Sequence, residues 1–198
     1  MTAKTLFLPG AGGSASFWRP VADRLGIEGQ FFFWPGLGNE PADPAINSLD
    51  DLVAMVIEQI DGPVNLIAQS MGGVVAIQAA LAKPQLIQKL VLAVTSGGLP
   101  LADLGAADWR SDYYRSFPSA ARWISAPGLD LSEEIKTITA PALLLWGDSD
   151  PISPVAVGER LGRLLRKSEL HVIAGAGHDL AQTHVPVVAP LIGAHLVS

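Results

Sequence analysis

Short apolar runs recur along the chain, each bounded by glycine, proline or a polar turn, and longer stretches with helical spacing lie between them. The runs fall at 5–8, 30–34, 64–68, 90–94, 142–146 and 169–173. They are nearly continuous, as strands buried on both faces of a parallel sheet require. Helices are predicted at 16–25, after a glycine-rich turn, and at 48–60, which opens on Ser48 with Asp50 and Asp51 behind it. A hydroxyl cap followed by acids suits a helix N-terminus. A third helix covers 71–82 and ends before Pro84, and a fourth opens at Ser153-Pro154, serine as cap and proline in the first turn, and runs to about 165. A last helix occupies part of 180–197, where Pro186 and Pro190 should mark starts or kinks rather than interior positions. Strand alternating with helix is the pattern of an α/β protein.

The stretch 99–137 breaks this rhythm. It separates the fourth and fifth runs and carries Trp109, Arg110, Tyr113, Tyr114, Arg115, Phe117 and Trp123. A segment of that length between sheet strands is either a cover over a site or a disordered excursion. Its aromatic content favours a small helical lid, in which Glu133 and Glu134 help to cap a helix after Ser132.

Composition supports the layered reading and narrows the chemistry. The 198 residues are 49% apolar and only 16% charged, enough for one domain spanning 1–198 with a sizeable core. A net charge of −6 argues against nucleic acid as a partner. Arg160, Arg163 and Arg166, with Lys167, read as a solvated helix face. There is no cysteine, so disulfides, thiolate metal sites and a Cys nucleophile are excluded. No run approaches the ~18 apolar residues that would span a bilayer. The apolar segment before Pro9-Gly10 is too short for the core of a signal peptide, so a cytoplasmic location is expected.

The polar chemistry gathers where the predicted strands end, which is where open α/β sheets place their ligands. Pro9-Gly10-Ala11-Gly12-Gly13-Ser14 follows the first strand, and Gln69-Ser70-Met71-Gly72-Gly73 the third. Gly147-Asp148-Ser149-Asp150-Pro151 follows the fifth and Gly175-Ala176-Gly177-His178-Asp179 the sixth. Around Ser70 the pattern is G-x-S-x-G with Ala68 in place of the first glycine. A serine on a tight strand-to-helix turn exposes its hydroxyl over the sheet edge, and small neighbours let strand and helix approach. Serine alone is a weak nucleophile and needs a base, itself oriented by an acid. The order Ser, Asp, His is available here.

These blocks, with Phe17-Trp18, Trp34-Pro35-Gly36-Leu37-Gly38 and Trp146, resemble the α/β-hydrolase superfamily over almost the whole chain, and in particular its small carboxylesterase-like members related to pimeloyl-ester esterases. The resemblance implies a mostly parallel six-stranded sheet in the order 2-1-3-4-5-6, helices on both faces and a short helical lid. It implies Ser70 as nucleophile, His178 as general base, Asp150 as the orienting acid, and the backbone amides of Ala11 and Met71 as the oxyanion hole. The sequence departs from the family in three places. Pro9-Gly10 stands where His-Gly is common, Trp34 stands where an aspartate often opens its block, and the family's N-terminal hairpin is expected to be missing.

Several residues offer competing roles. Asp148 rivals Asp150 for the acid, although spacing from Gly147 and Pro154 favours Asp150. His171 and His195 read as structural or exposed, and His184 could reach only the rim of the site. The loop of Gly10, Gly12 and Gly13 lacks a P-loop Lys-Ser/Thr and reads as an oxyanion loop. Trp18, Trp34, Trp109, Tyr113, Phe117 and Trp123, with Tyr114, are candidates for an apolar acyl pocket. The expected activity is hydrolysis of a carboxylic ester or thioester with a small to medium acyl group, without metal or cofactor. The same residues could instead serve C–C cleavage or elimination, and a non-enzymatic binding role on this fold is the remaining alternative.

Overall fold

A computed structural model describes residues 3–126 and 128–198. Its centre is a six-stranded sheet in the order β2-β1-β3-β4-β5-β6, every neighbouring pair parallel. The strands are β1 (Lys4–Leu8), β2 (Gln30–Phe31), β3 (Val64–Gln69), β4 (Ile87–Ala93), β5 (Ala142–Gly147) and β6 (Ser168–Ile173). Consecutive residues of the central strands, such as Leu143, Leu144 and Leu145, are all buried, so helices cover both faces. The expected strand order is the observed one.

Helix α1 (Arg19–Leu25) packs on the short α7 (Leu180–Thr183) and on the C-terminal helix α8 (Val185–Val197), and α2 (Leu49–Ile57) packs on α3 (Met71–Ala82). Helix α6 (Val155–Leu164) lies over β5 and β6. The cap of α2 is as the sequence suggests: Ser48 Oγ accepts the Asp51 amide at 3.2 Å and donates to its carboxylate at 2.8 Å. No helix among the described residues is long and apolar enough to cross a membrane.

Several elements differ from their sequence pattern, each for a local reason. β2 stops at Phe31 because the chain turns out of the sheet at Trp34, whose carbonyl accepts the Leu37 amide. Ser153 does not cap α6; its hydroxyl accepts the indole N–H of buried Trp146 at 3.2 Å, and Pro154 holds the cap position. Ahead of Ser132 it is the Asp130 carboxylate that accepts both the Ser132 amide and hydroxyl. Pro190 lies inside α8, not at a break. It is on the exposed side of that helix, where water can satisfy the carbonyl one turn back that its ring leaves without a donor.

Between β4 and β5 the chain forms α4 (Arg110–Ser116), a 3₁₀ turn (Arg122–Ser125) and α5 (Ser132–Ile135). Backbone bonds tie this segment across the C-terminal edge of the sheet. Ala121 N–H reaches Gly36 O at 2.8 Å, Leu131 N–H reaches Gly98 O at 2.9 Å, and Ala107 N–H reaches Pro151 O at 2.8 Å. A two-pronged pair from Arg160 to Asp103 anchors its first part to α6.

Candidate active site

Ser70 sits between the last residue of β3 and the first turn of α3, with φ 53° and ψ −122°. Non-glycine residues rarely hold this conformation, which costs about 1–3 kcal/mol unless the surroundings enforce it. Here they do. The Ser70 amide donates to Ala93 O at 2.9 Å, and its carbonyl accepts from Gly73 N at 2.9 Å and from the Thr95 hydroxyl at 2.5 Å. The turn also needs missing side chains around it. A Cβ on Gly72 would strike the carbonyl oxygens of Leu8 and Pro9, and one on Gly10 would strike Gln69. Next door, Val94 at the end of β4 also has positive φ, at 43°. Strained residues of this kind cluster at active sites and ligand clamps.

The elbow aims Ser70 Oγ at His178, whose Nε2 is 2.9 Å away. On the other side of the ring, Nδ1 lies 2.7 Å from Asp150 Oδ2. The Asp150 side chain is fully buried, and its second oxygen accepts the amides of Ile152 at 2.8 Å and Ser153 at 3.2 Å. A carboxylate bonded in this way is fixed in position, and it orients the imidazole. Asp148, the rival acid, does something else: its carboxylate accepts the Gly175 amide at 2.7 Å and the Ser149 hydroxyl at 3.0 Å, closing the turn that carries His178. The backbone of His178 is held from below by Gln69, whose side-chain amide donates to its carbonyl at 2.9 Å.

Beyond Ser70 opens a cavity of about 1520 Å³, lined by Gly10, Ala11, Met71, Val94, His178 and residues of the 94–141 segment. Ala11 and Met71 both face it, and Met71 is the first residue of α3, so the positive end of that helix points at Ser70. Among the aromatic candidates, Trp109, Tyr113 and Trp123 line the cavity, while the Phe117 ring packs over Gly12. Trp18 and Trp34 do not. Both are fully buried, and their indole N–H groups donate to the carbonyls of Leu8 at 3.0 Å and Pro9 at 2.8 Å. They brace the end of β1 and offer nothing to a ligand. Sequence reasoning gives Thr95 no role and Gln69 only a place in the Ser70 block; their signal is position, just past β4 and at the end of β3. No cluster of potential metal ligands occurs among the described residues.

A parallel sheet crossed at its C-terminal edge by a strained Ser, a His and a buried Asp defines the class of α/β hydrolases. Residues 5–190 match the model of the Alpha/beta hydrolase family, and the chain belongs to that family. Curated relatives include the uncharacterized hydrolase YugF of Bacillus subtilis, 30% identical over 57% of this chain, of which the chain spans 58%. A pimeloyl-[acyl-carrier protein] methyl ester esterase of Neisseria meningitidis is 29% identical, with 79% of this chain and 78% of that protein covered. A 2-hydroxy-6-oxononadienedioate/2-hydroxy-6-oxononatrienedioate hydrolase of Paraburkholderia xenovorans is 26% identical over 86% of this chain and 77% of its own. Among solved structures, a bromoperoxidase of Bacillus anthracis shares the fold with a TM-score of 0.80 at 18% identity, covering 100% of this chain and 93% of that one.

Proposed function

We propose that the chain is a serine hydrolase that cleaves a carboxylic ester or thioester of a small to medium acyl group through an acyl-enzyme on Ser70. The observation that carries this reading is the continuous hydrogen-bonded series from Ser70 Oγ through His178 to buried Asp150, built on an elbow strained at Ser70. His178 Nε2 takes the serine proton as Oγ attacks the acyl carbon, and returns it to the departing alkoxide or thiolate. Asp150 holds the tautomer with hydrogen on Nδ1 and stabilises the imidazolium. The amides of Ala11 and Met71 receive the developing oxyanion, each worth ~2.7–4 kcal/mol in the transition state. Water then gives a proton to His178 as its oxygen attacks the acyl carbon, the bond from that carbon to Ser70 Oγ breaks, and His178 returns the proton to Oγ as the acid leaves.

The 99–137 stretch, in this reading, is a lid. Trp109 and Trp123 give the acyl group an apolar wall, and the open cavity suits short to medium chains. p-Nitrophenyl esters of rising chain length test the proposal, together with a fluorophosphonate label. Turnover with label on Ser70, both lost in Ser70→Ala, is the expected result. Absence of turnover on every ester, or label that survives the substitution, overturns it.

A second reading has one observation in its favour. The Paraburkholderia relative is named as a hydrolase of a 2-hydroxy-6-oxo dioate and not as an esterase, and the same three side chains could serve C–C cleavage of a substrate of that kind. Loss of the dienolate chromophore of a 2-hydroxy-6-oxo-dienoate, with esters untouched, would favour it.

A further inference from the structure

The loop that follows β1 is held one peptide at a time. Leu8 O accepts from Trp18 Nε1 at 3.0 Å, Pro9 O from Trp34 Nε1 at 2.8 Å, and Gly10 O from Gly13 N at 3.1 Å. The next carbonyl, that of Ala11, accepts the hydroxyl of Tyr113 at 3.1 Å. The first three partners are close by in sequence, whereas Tyr113 comes from α4, 102 residues further along.

The direction of the Tyr113 bond is fixed by its other partner. The Gly38 amide lies 3.0 Å from the same oxygen and can only donate, so the phenolic hydrogen is left for Ala11 O, which can only accept. One hydroxyl thus joins three pieces of chain: the loop after β1, the turn after β2 and the segment between β4 and β5. The ring is held by Trp109 and Phe117, with centroids 5.5 and 5.2 Å away, and Phe117 covers Gly12 from above. Burial raises the Tyr113 pKa, which keeps the phenol a neutral donor.

The position of this bond matters because Ala11 lies between two peptide planes. Its N–H belongs to the Gly10–Ala11 plane, fixed by the bond between Gly13 and Gly10. Its carbonyl belongs to the Ala11–Gly12 plane, and among the described residues the Tyr113 hydroxyl is the partner of that carbonyl. Glycine at positions 10, 12 and 13 gives the loop wide rotational freedom. An oxyanion donor works only when it stands within about 2.7–3.1 Å of where the charge develops, so slack in the Ala11–Gly12 plane, passed through the Ala11 Cα to the neighbouring plane that bears the N–H, is felt in the rate.

We propose that Tyr113 is a positioning residue for catalysis: its hydroxyl locks the Ala11 carbonyl to the Gly38 turn and so aims the Ala11 amide at the oxyanion. This rests on the serine-hydrolase reading above. It also makes the seating of the segment between β4 and β5 a condition for an assembled oxyanion hole, since the last brace of the loop arrives from that segment.

Tyr113→Phe removes the hydroxyl and keeps the ring. The expected result is a kcat, per active site titrated with fluorophosphonate, lowered about 10-fold with KM within twofold, less than the loss of a donor itself. Affinity for an alkyl boronic acid, which mimics the tetrahedral intermediate, falls in the same proportion. Thr137→Val is the control: that hydroxyl donates to the Glu134 carbonyl at 2.7 Å, away from the loop and the cavity, and its loss leaves kcat unchanged. An unchanged kcat per titrated site in Tyr113→Phe, or a rate loss matched by neither the split nor the boronate, overturns the proposal. Amide ¹⁵N relaxation of Gly10 to Gly13 separates this from failure of the parent reading. The loop must become more mobile in Tyr113→Phe whatever bond the enzyme cleaves, and equal order in both proteins overturns the brace.

Discussion

Asp150 meets His178 across 28 positions of sequence with a 2.7 Å bond from Oδ2 to Nδ1, and its other oxygen is occupied by two backbone amides. That division of labour gives the two nearby aspartates opposite expected phenotypes. Asp150→Asn keeps the shape but favours the wrong imidazole tautomer, and kcat on an ester substrate should fall about 10³–10⁴-fold with little change in fold. Asp148→Ala frees the Gly175 amide and the turn around it, which should lower stability by about 1–2 kcal/mol and leave most of the activity. Denaturant melts and steady-state rates on both variants decide it. A severe rate loss in Asp148→Ala with Asp150→Asn active would exchange their roles.

Ser70 carries a second expectation, concerning stability. Its φ of 53° belongs to glycine's territory, so the native state stores strain of about 1–3 kcal/mol there. Ser70→Gly relieves the strain, less about 0.4–1 kcal/mol for the freer unfolded chain. Ser70→Ala keeps the strain. Both should be inactive, yet the glycine variant should melt about 2–4 °C above the alanine one, as expected for roughly 1 kcal/mol in a chain of this size. Equal melting temperatures would hold the strain to no more than the roughly 0.4–1 kcal/mol that the freer unfolded chain offsets.

What could be read from sequence is what is written locally. Ser70, Asp150 and His178 stand at strand ends, and strand ends are visible because buried strands are short apolar runs closed by glycine and proline. The role of Trp18 and Trp34 was not visible. A tryptophan in an apolar setting looks the same whether it lines a pocket or donates to a buried carbonyl, and the acceptor is chosen by tertiary approach alone. Asp148 and Asp150 are chemically alike and two residues apart, so only the pitch of the loop decides which one turns inward. Tyr113 was legible as an aromatic of the site but not as a brace, because its partners Ala11 and Gly38 contribute backbone, which carries no sequence signal.

The charges around the cavity bear on the acyl group. Asp50, Asp108, Asp112, Asp130 and Asp179 line it against Arg110, and Arg110 is paired with Asp108 at 3.0 Å. Asp112 pairs outward with Arg115, leaving Asp50, Asp130 and Asp179 to set a negative field over the entrance. An ester whose acyl chain ends in a carboxylate should therefore be the poorer substrate. Its kcat/KM should lie about fivefold or more below that of the uncharged analogue at low salt, and the gap should narrow as salt screens the field. p-Nitrophenyl butyrate against the p-nitrophenyl monoester of glutarate provides the comparison. A gap that is absent, or that ignores salt, would remove the entrance charges from any account of specificity.

His195 gives the pH dependence of folding a definite direction. It is half-buried on α8, and its Nε2 has no hydrogen-bond partner among the described residues. Burial, and then the Lys89 ammonium, hold its pKa below the ordinary 6.5, while the Leu90 and Pro141 backbone and Glu169 pull weakly the other way. A histidine depressed in this way is neutral when folded and takes up a proton on unfolding. Its contribution is therefore complete above 6.5 and is lost as pH falls from there toward the folded value. Melting temperature should drop between about pH 7.5 and about pH 5.5 by more in the natural protein than in His195→Gln, where nothing titrates at that position. Parallel curves for the two proteins would mean that His195 binds its proton equally well folded and unfolded.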